Sequence, residues 1–467
     1  MKRVLLRSKK NPLEIVGPGE GIERNIFGDN AGNLVFSHAS HKTLQTSGTE
    51  VVANGFRADP ADAGRINEEY DAFVIPLANA FRRTYQKQLR RLTSLVEKLR
   101  IPVIVLGVGA QSDLDYDLDW LTPINDDVKR FVSAVLDRSA TIGVRGDFTE
   151  KYLNSLGFKD VEVIGCPSMF MYGDRLPQTR RTPLTAESAV AINASRSALK
   201  TGDVGSIVMA NVERYPNLRY YAQETKDLAL LYWGDGSGVD GVDDAMPVHR
   251  SHPLFQEDRV RVCLDPQTWI DELGTYDFSF GTRIHGNIVA LLAGTPATVL
   301  CHDSRTLELC RYFDIPHRLL RDLPTNVDAV DLWEETDYTA MHSGHMERFT
   351  RYTGFLEKNG LDHVFTPGED EGEAFEQRVR ETAYPPVVHA WTGAENGVAD
   401  RVGWLRENHM RTRDQVTALT KRTAELEKSV NALRKQAEKA GNAQKRPLYQ
   451  ATRRLGGKAL RRAGLRH

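Results

Sequence analysis

The stretch Tyr276-Asp277-Phe278-Ser279-Phe280-Gly281-Thr282-Arg283-Ile284-His285-Gly286-Asn287-Ile288-Val289-Ala290-Leu291-Leu292-Ala293-Gly294 decides how this chain folds. Tyr276 to Phe280 is short, apolar and aromatic, and reads as a buried strand. Asn287 to Leu292 is an apolar helix, stopped by Gly294, and a second strand follows at Thr295 to Leu300. The unit is strand, turn, helix, strand, with Arg283 and His285 on the turn. In open α/β sheets, ligands bind where strands end and helices begin. Backbone N–H groups at a helix start favour anions, and an arginine beside them adds a second anion-seeking group. The turn suits a phosphorylated or carboxylated small molecule. An Arg or His at a strand end is also a common structural hydrogen-bonder, so the reading needs a second observation.

That observation is Thr141-Ile142-Gly143-Val144-Arg145-Gly146-Asp147-Phe148-Thr149-Glu150, which repeats the design earlier in the chain. A short strand ends at Arg145. Asp147, with Glu150 three residues on, reads as a capping box. Tyr152, Leu153 and Leu156 form the apolar face of the helix and Gly157 its stop. The next strand, Val161–Ile164, leads into Gly165-Cys166-Pro167-Ser168. Arg145 therefore stands at the carboxyl end of a strand, as Arg283 and His285 do later. Its planar fork matches a carboxylate bidentately.

Working outward, strands and helices alternate at the spacing of parallel βαβ units. The strand candidates before residue 180 are Ala72–Pro76, Val103–Leu106, Ile142–Val144 and Val161–Ile164, with helices at Tyr85–Leu99 and Asp127–Asp137. A polar, proline-bearing crossover at 174–188 follows. The rhythm then restarts with strands at Ala189–Asn193, Leu218–Ala222, Leu228–Trp233 and Arg259–Leu264, and a helix at Pro266–Leu273. The expected fold is α/β, with two Rossmann-like domains (1–180 and 185–365) facing a cleft, a glycosyltransferase-B-like arrangement. A helix at Met341–Asn359 should return to the body. An acidic, proline-rich linker is expected at 366–400, a coiled-coil helix at 401–442 and a basic tail at 443–467.

The coiled-coil reading rests on Val416, Leu419, Thr423, Leu426, Val430, Leu433, Ala437 and Ala440, spaced alternately by three and four residues. It implies a homo-oligomer through 416–440; a single solvated helix is the alternative. The tail from Lys445 carries eight Lys or Arg and no acid, so a chain of net charge −2 has −10 before it. Such a tail suits contact with an anionic membrane surface, at roughly 1 kcal/mol per basic residue. A solvated, unstructured tail is the alternative. Nucleic acid is not expected, because no recognition motif accompanies the charge.

The 467 residues are 40% hydrophobic and 27% charged, ordinary for a soluble protein of two or three domains. No apolar run reaches the roughly 20 residues of a membrane span, and Met1 to Arg7 has no signal-length apolar core. A cytoplasmic location is expected, peripheral at the inner face of the plasma membrane if the tail docks there. Cys166, Cys263, Cys301 and Cys310 have neither disulfide-framework nor metal spacing. The close pairs His38/His41, His249/His252 and His342/His345 lack companion ligands, so no metal site is expected.

With these motifs in hand, the chain resembles the polysaccharide pyruvyltransferases over about residues 20 to 362. The resemblance rests on Gly143-Val144-Arg145-Gly146-Asp147, Val163-Ile164-Gly165-Cys166-Pro167-Ser168 and Gly281-Thr282-Arg283-Ile284-His285-Gly286. Gly294-Thr295-Pro296 with His302-Asp303-Ser304-Arg305, and Asn25-Ile26-Phe27-Gly28-Asp29-Asn30, add to it. Arg305 stands where that family usually has a lysine, which keeps the charge and changes its geometry.

The resemblance implies phosphoenolpyruvate as donor substrate, a glycan or lipid-linked sugar as acceptor, a cyclic pyruvate ketal as product and no cofactor. On that chemistry His285 suits the acid that protonates C3 of the donor, since its pKa lies near working pH. Arg145 suits the donor carboxylate, and Arg283 or Arg305 the phosphate. Gly28, Asn30, Gly109 and Gln111 could line the acceptor side, and Asn193 and Arg196 are similarly placed in the second domain. Two other readings fit the same architecture. One is a nucleotide-sugar glycosyltransferase, for which no acidic ribose-binding motif is evident. The other is a non-catalytic glycan-binding or scaffold protein.

Overall fold

The computed structural model describes residues 1–28, 30–236, 246–390, 402, 405–406 and 409–436. The chain divides into a unit at Met1–Thr392 and a second at Gly393–His467.

The first half of the larger unit begins with strands β1 (Lys2–Leu6), β2 (Thr49–Ala53), β3 (Ala72–Pro76) and β4 (Val103–Leu106). They form a parallel sheet in the order β2-β1-β3-β4. Strands β5 (Ile142–Val144) and β6 (Val161–Val163) pair in parallel. They join β4 through Val108, whose N–H donates to Gly143 (3.1 Å) and whose carbonyl accepts from Arg145 (2.9 Å). The second half is one parallel sheet of β7 (Val190–Asn193), β8 (Arg219–Tyr221), β9 (Val260–Arg261), β10 (Phe278–Gly281), β11 (Ala297–Cys301) and β12 (His317–Leu319). Its order is β12-β11-β10-β7-β8-β9. Every residue of β3, β4, β7, β10 and β11 is buried. Both faces of each central strand are therefore covered, which explains their unbroken apolar sequences. The α/β architecture of two parallel sheets meets the expectation.

Several local readings are corrected. Leu228–Trp233 is not a strand. It belongs to the helix Thr225–Trp233, which a reciprocal capping box of Glu224 and Asp227 opens and left-handed Gly234 closes. Asp147 does not cap the helix Asp147–Ser155; Gly146 holds the cap position without a side-chain bond. The N–H of Thr149 is met from the other half, by the carboxylate of Glu308 (3.0 Å). The returning helix is broken at Gly344 into Thr339–Ser343 and His345–Lys358.

The segment read as a linker from residue 366 is folded onto the body as far as Ala390. Its helix Glu373–Glu381 lays Phe375 against His38 and His41 of the first half, and Glu376 pairs with buried Lys42 (2.6 Å). Val388 then exchanges backbone hydrogen bonds with Val262 beside β9. This segment straps the two halves together.

In the smaller unit, residues 409–436 form one helix. Val416, Leu419, Leu426, Val430 and Leu433 are all exposed on it. Ala437, Ala440 and the basic tail lie outside the described residues. Among the described residues no helix is long and apolar enough to cross a membrane.

Candidate functional site

Both cationic turns sit at carboxyl ends of strands, and they meet across a cavity of about 340 Å³. From the first half Gly28, Asn30, Asn33, Asn79, Arg82 and Arg145 line it. From the second come Gln223, Glu224, Arg283, His285, His302 and Arg305.

The turn after β10 depends on glycine at 281. Its φ is +145°, and a Cβ there would lie 1.8 Å from the carbonyl oxygen of Asn193. That close approach lets Asn193 bracket the turn. Its carbonyl accepts from Thr282 N–H (3.0 Å) and its Oδ1 from Arg283 N–H (2.8 Å). Asn287 closes the turn from the other side, donating to the carbonyls of Gly281 (3.1 Å) and Arg283 (3.2 Å). Asn193 is thus a buried support of the site rather than part of its wall.

His285, in the first turn of the helix Ile284–Leu292, is buried against the start of the helix Gly32–Leu44. A Cβ on Gly32 would come within 2.6 Å of His285 Nδ1, so only glycine lets that helix approach the ring. Nε2 lies 3.5 Å from Cys166 Sγ. Burial, with the Arg145 charge behind it, brings the imidazole down to about 3, so it is neutral at pH 7.

Arg145 is only 3% exposed, and its Nε and Nη2 have no hydrogen-bond partner among the described residues. Burial pushes its pKa down, but a guanidinium keeps its proton regardless. An unpaired buried cation is costly unless something offsets it. Gln223 is 1% exposed and neither amide atom has a partner among the described residues; the same holds for Nδ1 of His302. A carboxylate, a phosphate or sugar hydroxyls in the cavity would satisfy all three.

The other two arginines have carboxylate partners. Arg283 pairs with Glu224, which Lys226 also reaches (2.7 Å). Burial raises the Glu224 pKa, but the nearby cations outweigh it and keep it below the usual range. Arg305 pairs with Asp303. Despite burial, the Arg305 and His302 charges hold the Asp303 carboxyl well below its ordinary value. With its amide turned so that the oxygen faces the two guanidiniums, Asn79 accepts from Arg82 Nη1 (2.6 Å) and Arg305 Nη1 (2.5 Å), tying the first half to the second. Nε2 of His302 faces Ser197 Oγ (3.3 Å) and Asp303 (3.5 Å).

Of the residues singled out from sequence, the cavity gathers Gly28, Asn30, Arg145, Arg283, His285 and Arg305. Gln111 lies outside its wall, its N–H bound to the Phe81 carbonyl (3.0 Å), and Arg196 and Gly109 are also outside. Asn79, Arg82, Gln223 and Glu224 were not singled out. They stand on loops after strands with no local pattern to mark them; only their position after a strand end could have drawn attention. Among the described residues no group of three or more His, Cys, Asp or Glu could hold a metal ion.

A profile described as polysaccharide pyruvyl transferase matches residues 30–304, more than half of the chain. The chain belongs to the polysaccharide pyruvyl transferase family. The matched span includes Arg145, Arg283 and His285 and ends one residue short of Arg305. No curated protein sequence matches the chain. Solved structures with similarity include UDP-GlcNAc 2-epimerase from Methanocaldococcus jannaschii, in complex with UDP-GlcNAc and UDP. It is 9% identical, with 76% of this chain and 99% of that one covered and a TM-score of 0.44. The glycosyltransferase SnogD from Streptomyces nogalater is 12% identical, with 82% and 99% covered and a TM-score of 0.30.

Proposed function

We propose that this member of the pyruvyl transferase family transfers a pyruvyl group from phosphoenolpyruvate onto two hydroxyls of a glycan, forming a cyclic ketal and releasing phosphate. The observation that carries the reading is the buried Arg145 fork, unpartnered among the described residues and facing the same cavity as His285. Arg145 takes the donor carboxylate. Arg305 and Arg283, each already half-neutralised, take the phosphate. His285 gives a proton to C3, and C2 becomes the electrophile. One acceptor hydroxyl adds to C2, the second displaces phosphate, and the two hydroxyl protons pass to His285 and to the departing phosphate. His302, with a free Nδ1 among the described residues, is the second group in the cavity able to accept a hydroxyl proton. We further propose that the exposed stripe on 409–436 pairs with a second copy of the chain.

The test is phosphate release that requires both phosphoenolpyruvate and a glycan. His285→Ala and Arg145→Ala should each remove turnover, by about 10²-fold or more, with the fold intact by circular dichroism. Full activity in both variants would overturn the assigned roles. A nucleotide-sugar transferase would instead be stabilised thermally by a nucleoside diphosphate sugar and not by phosphoenolpyruvate.

A further inference from the structure

Three loops that follow strands meet beside the reaction cavity: Arg145 after β5, Cys166 after β6 and His285 after β10. Cys166 and Ser168 are fully buried and neither lines the cavity, so they act on a ligand only through a neighbour. The backbone fixes their loop. Ile164 and Gly165 both donate their N–H groups to the Val144 carbonyl (3.0 and 3.2 Å), and the Cys166 carbonyl accepts from Met169 N–H (3.1 Å).

The Cys166 sulfur has two neighbours. Sγ lies 3.5 Å from Nε2 of His285 and 3.2 Å from Oγ of Ser168. A thiol can give one hydrogen bond and accept another. Burial pushes the Cys166 thiol up, against the pull of the Arg145 charge, so it keeps its proton at pH 7. Aimed at Nε2, that proton meets a bare ring nitrogen. Aimed at Ser168 Oγ, it leaves the sulfur lone pairs to receive an Nε2–H. Nε2 is therefore met whether or not it carries a proton, and a buried ring nitrogen left unmet is costly.

The other edge of the ring is treated differently. Nδ1 stands beside Gly32 at the start of the helix Gly32–Leu44, where a Cβ would lie 2.6 Å from it. The hydrogen bond of His285 among the described residues is made by Nε2. Nδ1 is the nitrogen left over for a ligand.

We propose that Cys166 is a positioning residue: with Ser168 as its second partner, it holds His285 by Nε2 in both protonation states, so that Nδ1 alone works on the substrate. The inference deepens the pyruvyl transfer proposed above and rests on it for the order of steps. The imidazolium gives its Nδ1 proton to C3, and the electrons of the C2–C3 double bond form the new C–H bond. The ring is left neutral, with Nε2–H donating to the sulfur. That tautomer leaves Nδ1 bare, and it takes the proton of the first hydroxyl as the hydroxyl oxygen adds to C2. The second hydroxyl then displaces phosphate. The thiol keeps its own proton throughout, and nothing is oxidised or reduced.

The test uses the full-length protein and three variants. Cys166→Ala removes both bonds and should lower kcat about ten- to a hundredfold, with KM for phosphoenolpyruvate within about twofold of the parent. Cys166→Ser can still give and accept, and should recover most of that loss. A role in packing alone predicts the reverse order, because serine buries a hydroxyl where alanine buries none. Ser168→Ala, which leaves the thiol without its second partner, should lower kcat about threefold or more, and it decides the matter if Cys166→Ala fails to fold. A second readout needs no turnover. Nitrogen-15 NMR of histidine-labelled protein at pH 7, with His285 assigned by its loss in His285→Gln, should show one tautomer in the parent and in Cys166→Ser, and a mixture in Cys166→Ala. Parent kcat in Cys166→Ala, serine no better than alanine, or a tautomer indifferent to Cys166 would each overturn the proposal. A tautomer that depends on Cys166, in a protein that does not turn over phosphoenolpyruvate, would keep the positioning role and remove the donor assignment instead.

Discussion

At the scale of single residues, His285 raises a question of charge. In the proposed reaction the donor takes a proton at C3, yet the imidazole is neutral, brought down to about 3 by burial and by Arg145. Phosphoenolpyruvate would carry about three negative charges into the cavity, cancel the Arg145 field and favour the imidazolium. Donor binding should therefore take up close to one proton at pH 7. Calorimetry in two buffers of different ionisation enthalpy measures this directly; no uptake would mean that His285 is not the proton source. His285 and Arg145 were legible in the sequence because each sits at a strand-to-helix turn with glycines around it. Gln223 and Asn79 were not. An amide on a loop becomes informative only when its neighbours are known, whether they leave it unpaired, as with Gln223, or pair it, as with Asn79.

Secondary-structure elements were legible where periodicity and end signals agreed, as in β3, β4, β10 and the helix Ile284–Leu292. They were misread where a short apolar run could be either type. Leu228–Trp233 is such a run, and the Glu224–Asp227 capping box just ahead of it decided for helix. β1 was overlooked because Lys2 and Arg3 mask its three apolar residues. The turn after β10 makes a sharp test of element geometry. Gly281→Ala should destabilise by about 3 kcal/mol or more, since φ is +145° and the Asn193 carbonyl occupies the Cβ position. Gly64→Ala, in the helix Ala63–Glu69 with nothing near its Cβ position, should instead stabilise by roughly 0.5–1 kcal/mol. Urea denaturation of the two variants measures both, and equal effects would refute the packing argument. The helix at 409–436 has its own test. If its exposed seam pairs copies of the chain, the parent sediments as an oligomer, and Leu419→Asp with Leu426→Asp sediments as a monomer. A monomeric parent would end the coiled-coil reading.

At the scale of the molecule, no local pattern announced how the two halves are joined. The strap after residue 366 looked like a linker because its acidic and proline-rich sequence has few apolar residues, and those few (Phe375, Val379, Val387, Val388) are the ones buried. Glu308 escaped notice for a similar reason: it is an acid in an amphipathic helix, and its partner lies 159 residues away. It is fully buried, and its carboxylate meets both the N–H and the hydroxyl of Thr149 in the other half. Ser304 reinforces the join, accepting from Ser112 N–H (2.7 Å) and donating to the Ala110 carbonyl (3.2 Å). Burial pushes the Glu308 carboxyl up to about 8. The folded chain therefore holds a proton there that the unfolded chain releases near 4.5. Its contribution to stability is complete below 4.5 and is lost as pH rises through 8. His38 and His41, brought down by burial to about 3 and 4 under Phe375, act in the opposite sense. Their contribution is present above 6.5 and is lost as pH falls towards 3–4. The melting temperature should therefore pass through a maximum between these limits. Glu308→Gln copies the protonated acid, since its amide can accept from the Thr149 N–H and donate to the Thr149 hydroxyl. It should leave the acid limb as it is and lift the alkaline limb, with melting temperatures close to the parent at pH 4.5 and several degrees higher at pH 9. Parallel alkaline limbs in the two proteins would show that Glu308 is not the group that loosens the join.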